Sequence, residues 1–289
     1  MPELPEVEVL VRHLRPLLQN KTIRNVQVNR ARVLTPTSPG QLRKALGGAT
    51  FSGLSRRGKY LLFKLRNQAN LETRLLIGHL GMTGRMYLAP SRHLLPKHAA
   101  VVLNLGAQNF IFEDTRYFGR FTLDQTAVTK LGPEPLSTDF SLQLFQRALK
   151  RSQQPIKAKL LDQSLVAGIG NIYASEALFR AGIWPRTKAN RLRPEQVRRL
   201  WRAIREVLAS AIKFGSTVPL SYARSGRGDG LFYFGKSDDA PGFYEERLQV
   251  YDRARLPCMV CGHKVRRIRQ AGRSTFYCPK CQSRQKSGV

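Results

Sequence analysis

Acidic residues are scarce in this sequence. Aspartate and glutamate number 19 against 49 lysines and arginines among 289 residues, so the formal net charge is +30. So large an excess of one sign attracts a polyanion, and nucleic acid is the leading candidate partner. A membrane surface is the weaker alternative.

Long apolar segments are also missing. No run approaches the ~20 apolar residues that a helix needs to cross a bilayer. Charged residues interrupt positions 1–20, where a secretory signal peptide would lie. The sequence therefore predicts neither a membrane-spanning protein nor a secreted one.

Cysteine is absent until position 258, which argues against a disulfide-stapled secreted fold. Two Cys-x2-Cys pairs then follow, separated by 16 residues. Two such pairs complete a tetrahedral Zn²⁺ site with no open position, which is typical of a structural rather than a catalytic metal. The alternative is two coincidental pairs of free thiols. The predicted zinc ligands are Cys258, Cys261, Cys278 and Cys281.

The cysteine segment is strongly basic and contains no acid after position 257. Because no counter-charges are interleaved, we interpret it as a DNA-contacting zinc finger rather than a solvated basic face. Its basic residues are Lys264, Arg266, Arg267, Arg269, Arg273, Lys280, Arg284 and Lys286.

Apolar periodicity divides the chain into regions. Residues 5–20 have helical spacing, whereas residues 22–125 contain short apolar runs and turns that predict a β-sandwich. After a linker rich in glycine and proline, the spacing becomes helical again, and residues 243–251 are a candidate strand. The later helices are predicted at 141–150, 156–163, 172–181 and 194–214.

The predicted fold class is α+β. It combines an N-terminal β-sandwich with flanking helices, a helix–two-turn–helix bundle and a zinc-finger β-hairpin. The predicted domains are residues 1–131 for the sandwich, 132–140 for the linker, 141–242 for the helical domain with a mobile loop at 216–242, and 243–289 for the zinc-finger module.

The first eight residues, Met-Pro-Glu-Leu-Pro-Glu-Val-Glu, suggest chemistry. Removal of Met1 would leave Pro2 with a free secondary amine of pKa about 7.7–8.0, against about 10.4 for lysine. Such an amine attacks an aldehyde-like carbon to give an iminium ion, which assists elimination. The alternative is that the segment merely precedes a helix.

Residues 166–174, Val-Ala-Gly-Ile-Gly-Asn-Ile-Tyr-Ala, form a second motif. Two glycines and an asparagine at the start of a helix allow a phosphate to approach the free N–H groups there. An ordinary turn between helices is the alternative.

The start of the chain, residues 168–176 and residues 272–282 (Gly-Arg-Ser-Thr-Phe-Tyr-Cys-Pro-Lys-Cys-Gln) together resemble the formamidopyrimidine-DNA glycosylase and endonuclease VIII family. The resemblance spans residues 2–215 and 243–282 and favours the bacterial-type branch that excises oxidised purines. It implies an intracellular protein, in the cytoplasm or on the nucleoid.

The resemblance implies a role for each matching residue. Pro2 would attack C1′ of the damaged nucleotide and form a Schiff base, and Glu3 would be the proton donor at the sugar O4′. Glu6 would shape the pocket. Lys59 would contact phosphate and donate a proton, and Arg273 would clamp phosphate during δ-elimination.

Further matches concern DNA. His98, Lys157 and Asn171 would contact the DNA, as would Arg116. An enzyme that cuts a glycosidic bond must flip the nucleotide from the stack, and the void needs filling.

In the family, residues matching Met82, Arg116 and Phe118 enter the duplex, and apolar wedges of this kind unstack and kink DNA. The alternative for Met82 and Phe118 is a place in the core. Tyr117 departs from the family, where a basic residue is more usual.

The resemblance thus implies a monomeric bifunctional glycosylase and abasic-site lyase. It would act on 8-oxoguanine and formamidopyrimidines in duplex DNA by β,δ-elimination, with one structural Zn²⁺ and no membrane partner. The first alternative is an endonuclease VIII-like glycosylase for oxidised pyrimidines, since the 216–242 loop departs from the family's pattern. The second alternative is a non-catalytic zinc-finger DNA-binding protein.

Overall fold

The computed structural model describes residues 2–67, 72–215 and 248–283. These residues cluster into two compact units. The first contains residues 2, 6–67 and 72–130, and the second contains residues 3–5, 131–215 and 248–283. No described helix combines the length and the apolar composition that a membrane crossing requires.

The first unit contains two four-stranded sheets, in which neighbouring strands are antiparallel. Their orders are β1-β6-β7-β5 and β2-β3-β4-β8. The strands are β1 Asn25–Val28, β2 Ala49–Arg57, β3 Tyr60–Asn67, β4 Thr73–His79, β5 Gly84–Pro90, β6 Ala99–Asn104, β7 Gln108–Asp114 and β8 Arg120–Thr122.

Aromatic side chains from both sheets form the core between them. Phe63 of β3 contacts Phe110 of β7, with ring centroids 5.6 Å apart, and Phe121 of β8. Phe51 of β2 joins the same cluster. All four rings are buried, so the predicted β-sandwich is confirmed.

Helix α1, Leu4–Leu18, confirms the helix predicted at the start of the chain. Its buried positions Val7, Val11, Leu14 and Leu18 follow helical spacing and lie in the sandwich core. Leu4 instead belongs to the core of the second unit.

The interpretation of residues 22–125 as strands and turns alone was wrong, because this region also contains helices. Ser38 and Gln41 form a reciprocal capping box at the start of α2, Pro39–Leu46, and proline is favoured in a first turn. The sandwich unit also contains a 3₁₀ helix at Ala31–Leu34 and α3 at Thr126–Thr129.

The described residues of the second unit form helices, turns and one β-hairpin. The helix predicted at 156–163 ends early, at Leu160, because the side chains of Asp162 and Gln163 bond neighbouring backbone groups. The helices and strands of the second unit are α4 Leu142–Lys150, α5 Ile156–Leu160, α6 Asn171–Arg180, a 3₁₀ helix Ala189–Arg191, α7 Pro194–Gly215, β9 Arg266–Gln270 and β10 Arg273–Tyr277.

The predicted strand at 243–251 is not present over its described part. Residues 248–251 form a bend and a turn, because the Glu176 carboxylate accepts the backbone N–H groups of Gln249, Val250 and Tyr251. Residues 243–247 and the predicted mobile loop at 216–242 lie outside the described residues.

Candidate active site and metal centre

Glu3 is held by the start of helix α6. Its buried carboxylate accepts N–H groups from Gly170 at 2.7 Å, Ile172 at 2.8 Å and Tyr173 at 3.3 Å. These donors have no partner within the helix, and the positive end of the helix dipole favours a carboxylate there. The position of Glu3 is therefore fixed by three backbone groups.

The two glycines of the second motif make room for the N-terminal residues. A Cβ on Gly168, whose φ is +86°, would lie 2.6 Å from Leu4 Cβ, and one on Gly170 would overlap the Glu3 carboxylate. The Leu4 N–H also donates to the Gly168 carbonyl at 3.1 Å. The sequence interpretation assigned these glycines to a phosphate; in the structure, Leu4 lies against Gly168 and the Glu3 carboxylate lies against Gly170.

Pro2 is half-buried and is joined directly to Glu3. Removal of Met1 would place a secondary amine one residue before a fixed, buried carboxylate. A neutral amine is the nucleophile that forms a Schiff base with an aldehyde-like carbon.

Lys157 is a buried lysine in the second unit. Its Nζ donates to the Ser274 carbonyl at 3.1 Å and to Thr275 Oγ1 at 2.9 Å. Burial lowers the pKa of Lys157 to about 7; Glu3 acts in the opposite direction, and the Arg273 charge lowers it further. Lys157 therefore tethers strand β10.

Asn171, the first residue of α6, shares the acceptor that Lys157 uses. Its Nδ2 donates to the Ser274 carbonyl at 3.0 Å. The next residue back along the hairpin is Arg273, which is exposed at the start of β10. The second unit thus brings together Glu3, Lys157, Asn171 and Arg273.

The first unit has its own cluster of cations at the ends of strands β3 and β4. Lys59 is buried in the turn between β2 and β3. Burial lowers the pKa of His79 to about 4, and the charges of Lys59 and Arg120 act in the same direction. A neutral His79 accepts the Gly81 N–H at 3.1 Å through Nδ1. Sequence reasoning did not single out His79, because the charges that act on it, Lys59 and Arg120, are too distant in the chain for a local pattern to reveal them.

Glu6 and His98 also lie in the first unit. Glu6 is buried in the first turn of α1, whereas His98 is half-buried just before β6. His98 Nδ1 lies 3.4 Å from the Tyr117 hydroxyl.

Met82 and Phe118 are exposed, by 46% and 48%, so the alternative that they are core residues is wrong. The Arg116 guanidinium lies over the Phe118 ring, 4.9 Å from its centroid. Each of the three predicted wedge residues is therefore accessible to a partner.

Asp114 organises the turns that carry these residues. Its buried carboxylate accepts Thr83 Oγ1 at 2.6 Å, the Arg116 N–H at 3.2 Å and the Gly119 N–H at 2.8 Å. Sequence reasoning missed this role. In the sequence, only the position of Asp114 at the end of an apolar strand could have indicated it.

The four cysteines form a metal site. Their sulfur atoms all lie within 4.8 Å of one another, with Cys258 and Cys281 3.9 Å apart and Cys261 and Cys278 3.4 Å apart. Zn–S bonds of about 2.3 Å in a tetrahedron place sulfurs about 3.8 Å apart. The arrangement fits one structural Zn²⁺ with no open coordination position, as predicted.

Three family models match the chain in succession. Residues 1–121 match the formamidopyrimidine-DNA glycosylase N-terminal domain, and residues 131–221 match the formamidopyrimidine-DNA glycosylase H2TH domain. Residues 255–284 match the zinc finger found in FPG and IleRS.

Whole-length relatives agree with these matches. Formamidopyrimidine-DNA glycosylase of Thermus thermophilus is 44% identical, covering 98% of each chain. Two crystal structures of the Lactococcus lactis enzyme, one with DNA containing an abasic site and one with DNA containing an oxidised pyrimidine, are 35% identical. They cover 98% of this chain and 100% of theirs, with TM-scores of 0.84 and 0.85. The chain therefore belongs to the formamidopyrimidine-DNA glycosylase family.

Proposed function

We propose that this protein is a bifunctional DNA glycosylase and abasic-site lyase that removes 8-oxoguanine and formamidopyrimidines from duplex DNA. The observation that carries the proposal is the Glu3 carboxylate, fixed by the start of α6 immediately after Pro2. The names of the relatives and the +30 charge support the same conclusion.

In the proposed reaction, the Pro2 nitrogen attacks C1′ while the bond from C1′ to the base breaks. The amine proton passes to the Glu3 carboxylate, which donates it to O4′, so that the sugar ring opens and a Schiff base forms. The base departs as an anion and takes a proton from water. Its iminium acidifies the C2′ proton, so loss of that proton expels the 3′ phosphate. A second elimination expels the 5′ phosphate and leaves a one-nucleoside gap.

Cationic and polar side chains hold the phosphates in this proposal. Lys59 contacts phosphate near the lesion and supplies a proton, and Arg273 clamps phosphate during the second elimination. Asn171 and His98 contact the DNA. Lys157 acts close to the damaged nucleotide, and its bonds to Ser274 and Thr275 support a role in placing Arg273.

The exposed side chains of the first unit fill the void left by the flipped nucleotide. Met82 and Phe118 enter the stack, and Arg116 faces the orphaned base. Their exposure beside rigid turns supports this assignment, because an apolar wedge must be accessible before it can unstack bases.

The zinc site supplies structure rather than chemistry. A bound Zn²⁺ would link the two cysteine pairs. The basic hairpin between these pairs presents Arg273 to DNA. We further propose that residues 1–131 form the catalytic domain and residues 141–242 and 243–289 the DNA-holding domains. We also propose that the protein works as a monomer, in the cytoplasm or on the nucleoid; the bacterial origin of its relatives supports the intracellular location.

Lesion preference distinguishes this proposal from its alternatives. Duplexes carrying 8-oxoguanine opposite cytosine should be cut to a gap with phosphates at both ends, faster than duplexes with an oxidised pyrimidine. The L. lactis relative was crystallised with an oxidised pyrimidine, so both lesions belong in the assay. Faster cutting of the pyrimidine would move the chain to the sister branch, and tight binding without cutting would leave a DNA-binding protein.

A further inference from the structure

In the turn that carries the proposed wedge residues, the side chain of Tyr117 lies in a different environment from those of Arg116 and Phe118. Arg116 and Phe118 are exposed and contact each other, whereas Tyr117 is partly buried and packs against the sandwich core. Tyr117 has a φ of +53°, a left-handed conformation that bulky residues rarely adopt. Such a conformation persists only where the surroundings determine it.

Two side chains hold the Tyr117 ring in place. Arg30 donates from Nε to the Tyr117 hydroxyl at 3.1 Å, and its guanidinium lies over the ring, 5.5 Å from the centroid. His98 approaches the same hydroxyl at 3.4 Å, with its ring edge-on to the tyrosine.

These two residues are themselves fixed to the sheet. The Arg30 N–H donates to the Ala100 carbonyl at 3.1 Å, and the His98 carbonyl accepts the Asp114 N–H at 3.1 Å. Asp114 in turn binds the N–H groups of Arg116 and Gly119. Asp114 thus holds the backbone of the turn that carries Arg116 and Phe118. Arg30 and His98 hold the side chain of Tyr117, which lies between those two residues.

We propose that Tyr117 is a positioning residue that sets the turn before DNA binds, so that Arg116 and Phe118 are already directed outward. Preorganising a contact loop removes the entropic cost of ordering it on binding. Because Arg116 faces the base opposite the lesion in the proposed function, the Tyr117 anchor also sets discrimination between opposite bases. This inference rests on the proposed function.

The test compares duplex with single-stranded substrate. A single strand containing an abasic site requires Pro2 but offers no stack for a wedge to enter. Tyr117→Phe keeps the ring and removes the hydroxyl, so we expect single-turnover cutting of an 8-oxoguanine:cytosine duplex to fall about 3- to 10-fold, the scale of one hydrogen bond. The ratio of the cutting rate with cytosine opposite the lesion to the rate with adenine opposite it should decrease. Cutting of the single strand should not change.

Companion variants isolate the anchor. Arg30→Gln should also slow duplex cutting, and the loss in the double variant should be smaller than the sum of the two single losses in free energy, because both variants remove the Arg30–Tyr117 hydrogen bond. Tyr117→Asn accepts a left-handed φ but lacks the ring, so it should also be slow on duplex. Tyr87→Phe is the matched control, because it removes a tyrosine hydrogen bond of 3.0 Å to Glu113 elsewhere in the same unit.

The outcomes separate this inference from the proposed function. Wild-type duplex rates in Tyr117→Phe or Tyr117→Asn would overturn the inference, as would an equal loss on single strand and duplex, which signals general damage. Failure of the unaltered protein to cut either substrate would overturn the proposed function instead.

Discussion

The Glu3 carboxylate and the Gly170 N–H, 167 positions apart in the chain, are joined by a hydrogen bond of 2.7 Å. The bond requires that residue 170 has no side chain, because a Cβ there would overlap the carboxylate. Since the start of α6 places the residue that follows Pro2, a change at Gly170 should act on the chemistry rather than on the fold alone.

We therefore expect Gly170→Ala to lower the rate of the lyase step at least tenfold, since displacing Glu3 loses several backbone hydrogen bonds worth about 1 kcal/mol or more each. Single-turnover cutting of an abasic-site duplex measures the effect. Gly40→Ala is the matched control, because a Cβ at Gly40, within α2, meets only Ser38 Oγ at 4.0 Å. An unchanged rate in Gly170→Ala would contradict the proposed role of Glu3.

Stability should depend on pH through His79. Its pKa is lowered from 6.5 to about 4 in the folded protein. A histidine whose pKa is lower in the folded than in the unfolded protein stabilises the fold fully at pH values above its pKa in the unfolded protein. This stabilisation is lost as the pH falls to the pKa in the folded protein. Between pH 6.5 and 4 the loss should be on the order of 3 kcal/mol.

Urea unfolding near pH 7.5 and near pH 5 measures this effect. His79→Gln should reduce the difference in unfolding free energy between the two conditions, whereas replacement of the exposed His93 should leave it unchanged. Equal pH dependence in wild type and His79→Gln would show that other groups cause the acid sensitivity.

Zinc removal should disorder the hairpin. A two-stranded sheet such as β9–β10 is marginally stable by itself, and metal binding provides folding free energy. We expect Cys258→Ser or chelation to release one zinc per chain and to weaken duplex binding by at least tenfold. Metal analysis with fluorescence anisotropy checks both, and Met259→Ser, which alters an exposed neighbour, is the control. Full DNA affinity in the metal-free protein would rule out the assigned role of the zinc.

DNA affinity should depend steeply on salt. If six or more phosphates are neutralised, Kd should rise roughly 10³-fold or more between 50 and 200 mM salt. Arg273→Gln should reduce the slope of log K against log salt by about 0.9, the value for one phosphate contact. Arg12→Gln should not, because Arg12 is paired with Glu8 at 2.8 Å. A flat response would contradict the basic DNA-binding surface.

Patterns that are local in the chain predicted much of this structure. The spacing of Val7, Val11 and Leu14 identified α1, and the paired cysteines identified the zinc site. Helix α2 was missed because Pro39 and Gly40 are typical of a turn, although the Ser38 capping box was a valid signal for a helix.

Relationships between distant residues were not predictable in this way. The contact between Glu3 and Gly170, and the hydrogen bond from Thr83 to Asp114, join segments that share no local pattern. The exposure of Met82 and Phe118 also depends on tertiary packing, since both residue types are usually buried.

Pro2 is the nucleophile of the proposed reaction. Borohydride reduction of a reaction with an 8-oxoguanine:cytosine duplex, followed by mass mapping of the crosslinked peptide, tests it directly, because only an iminium is trapped. We expect one crosslink, on a peptide that begins at Pro2 and lacks Met1. A crosslink on a lysine peptide, or tight binding with no crosslink, would contradict it.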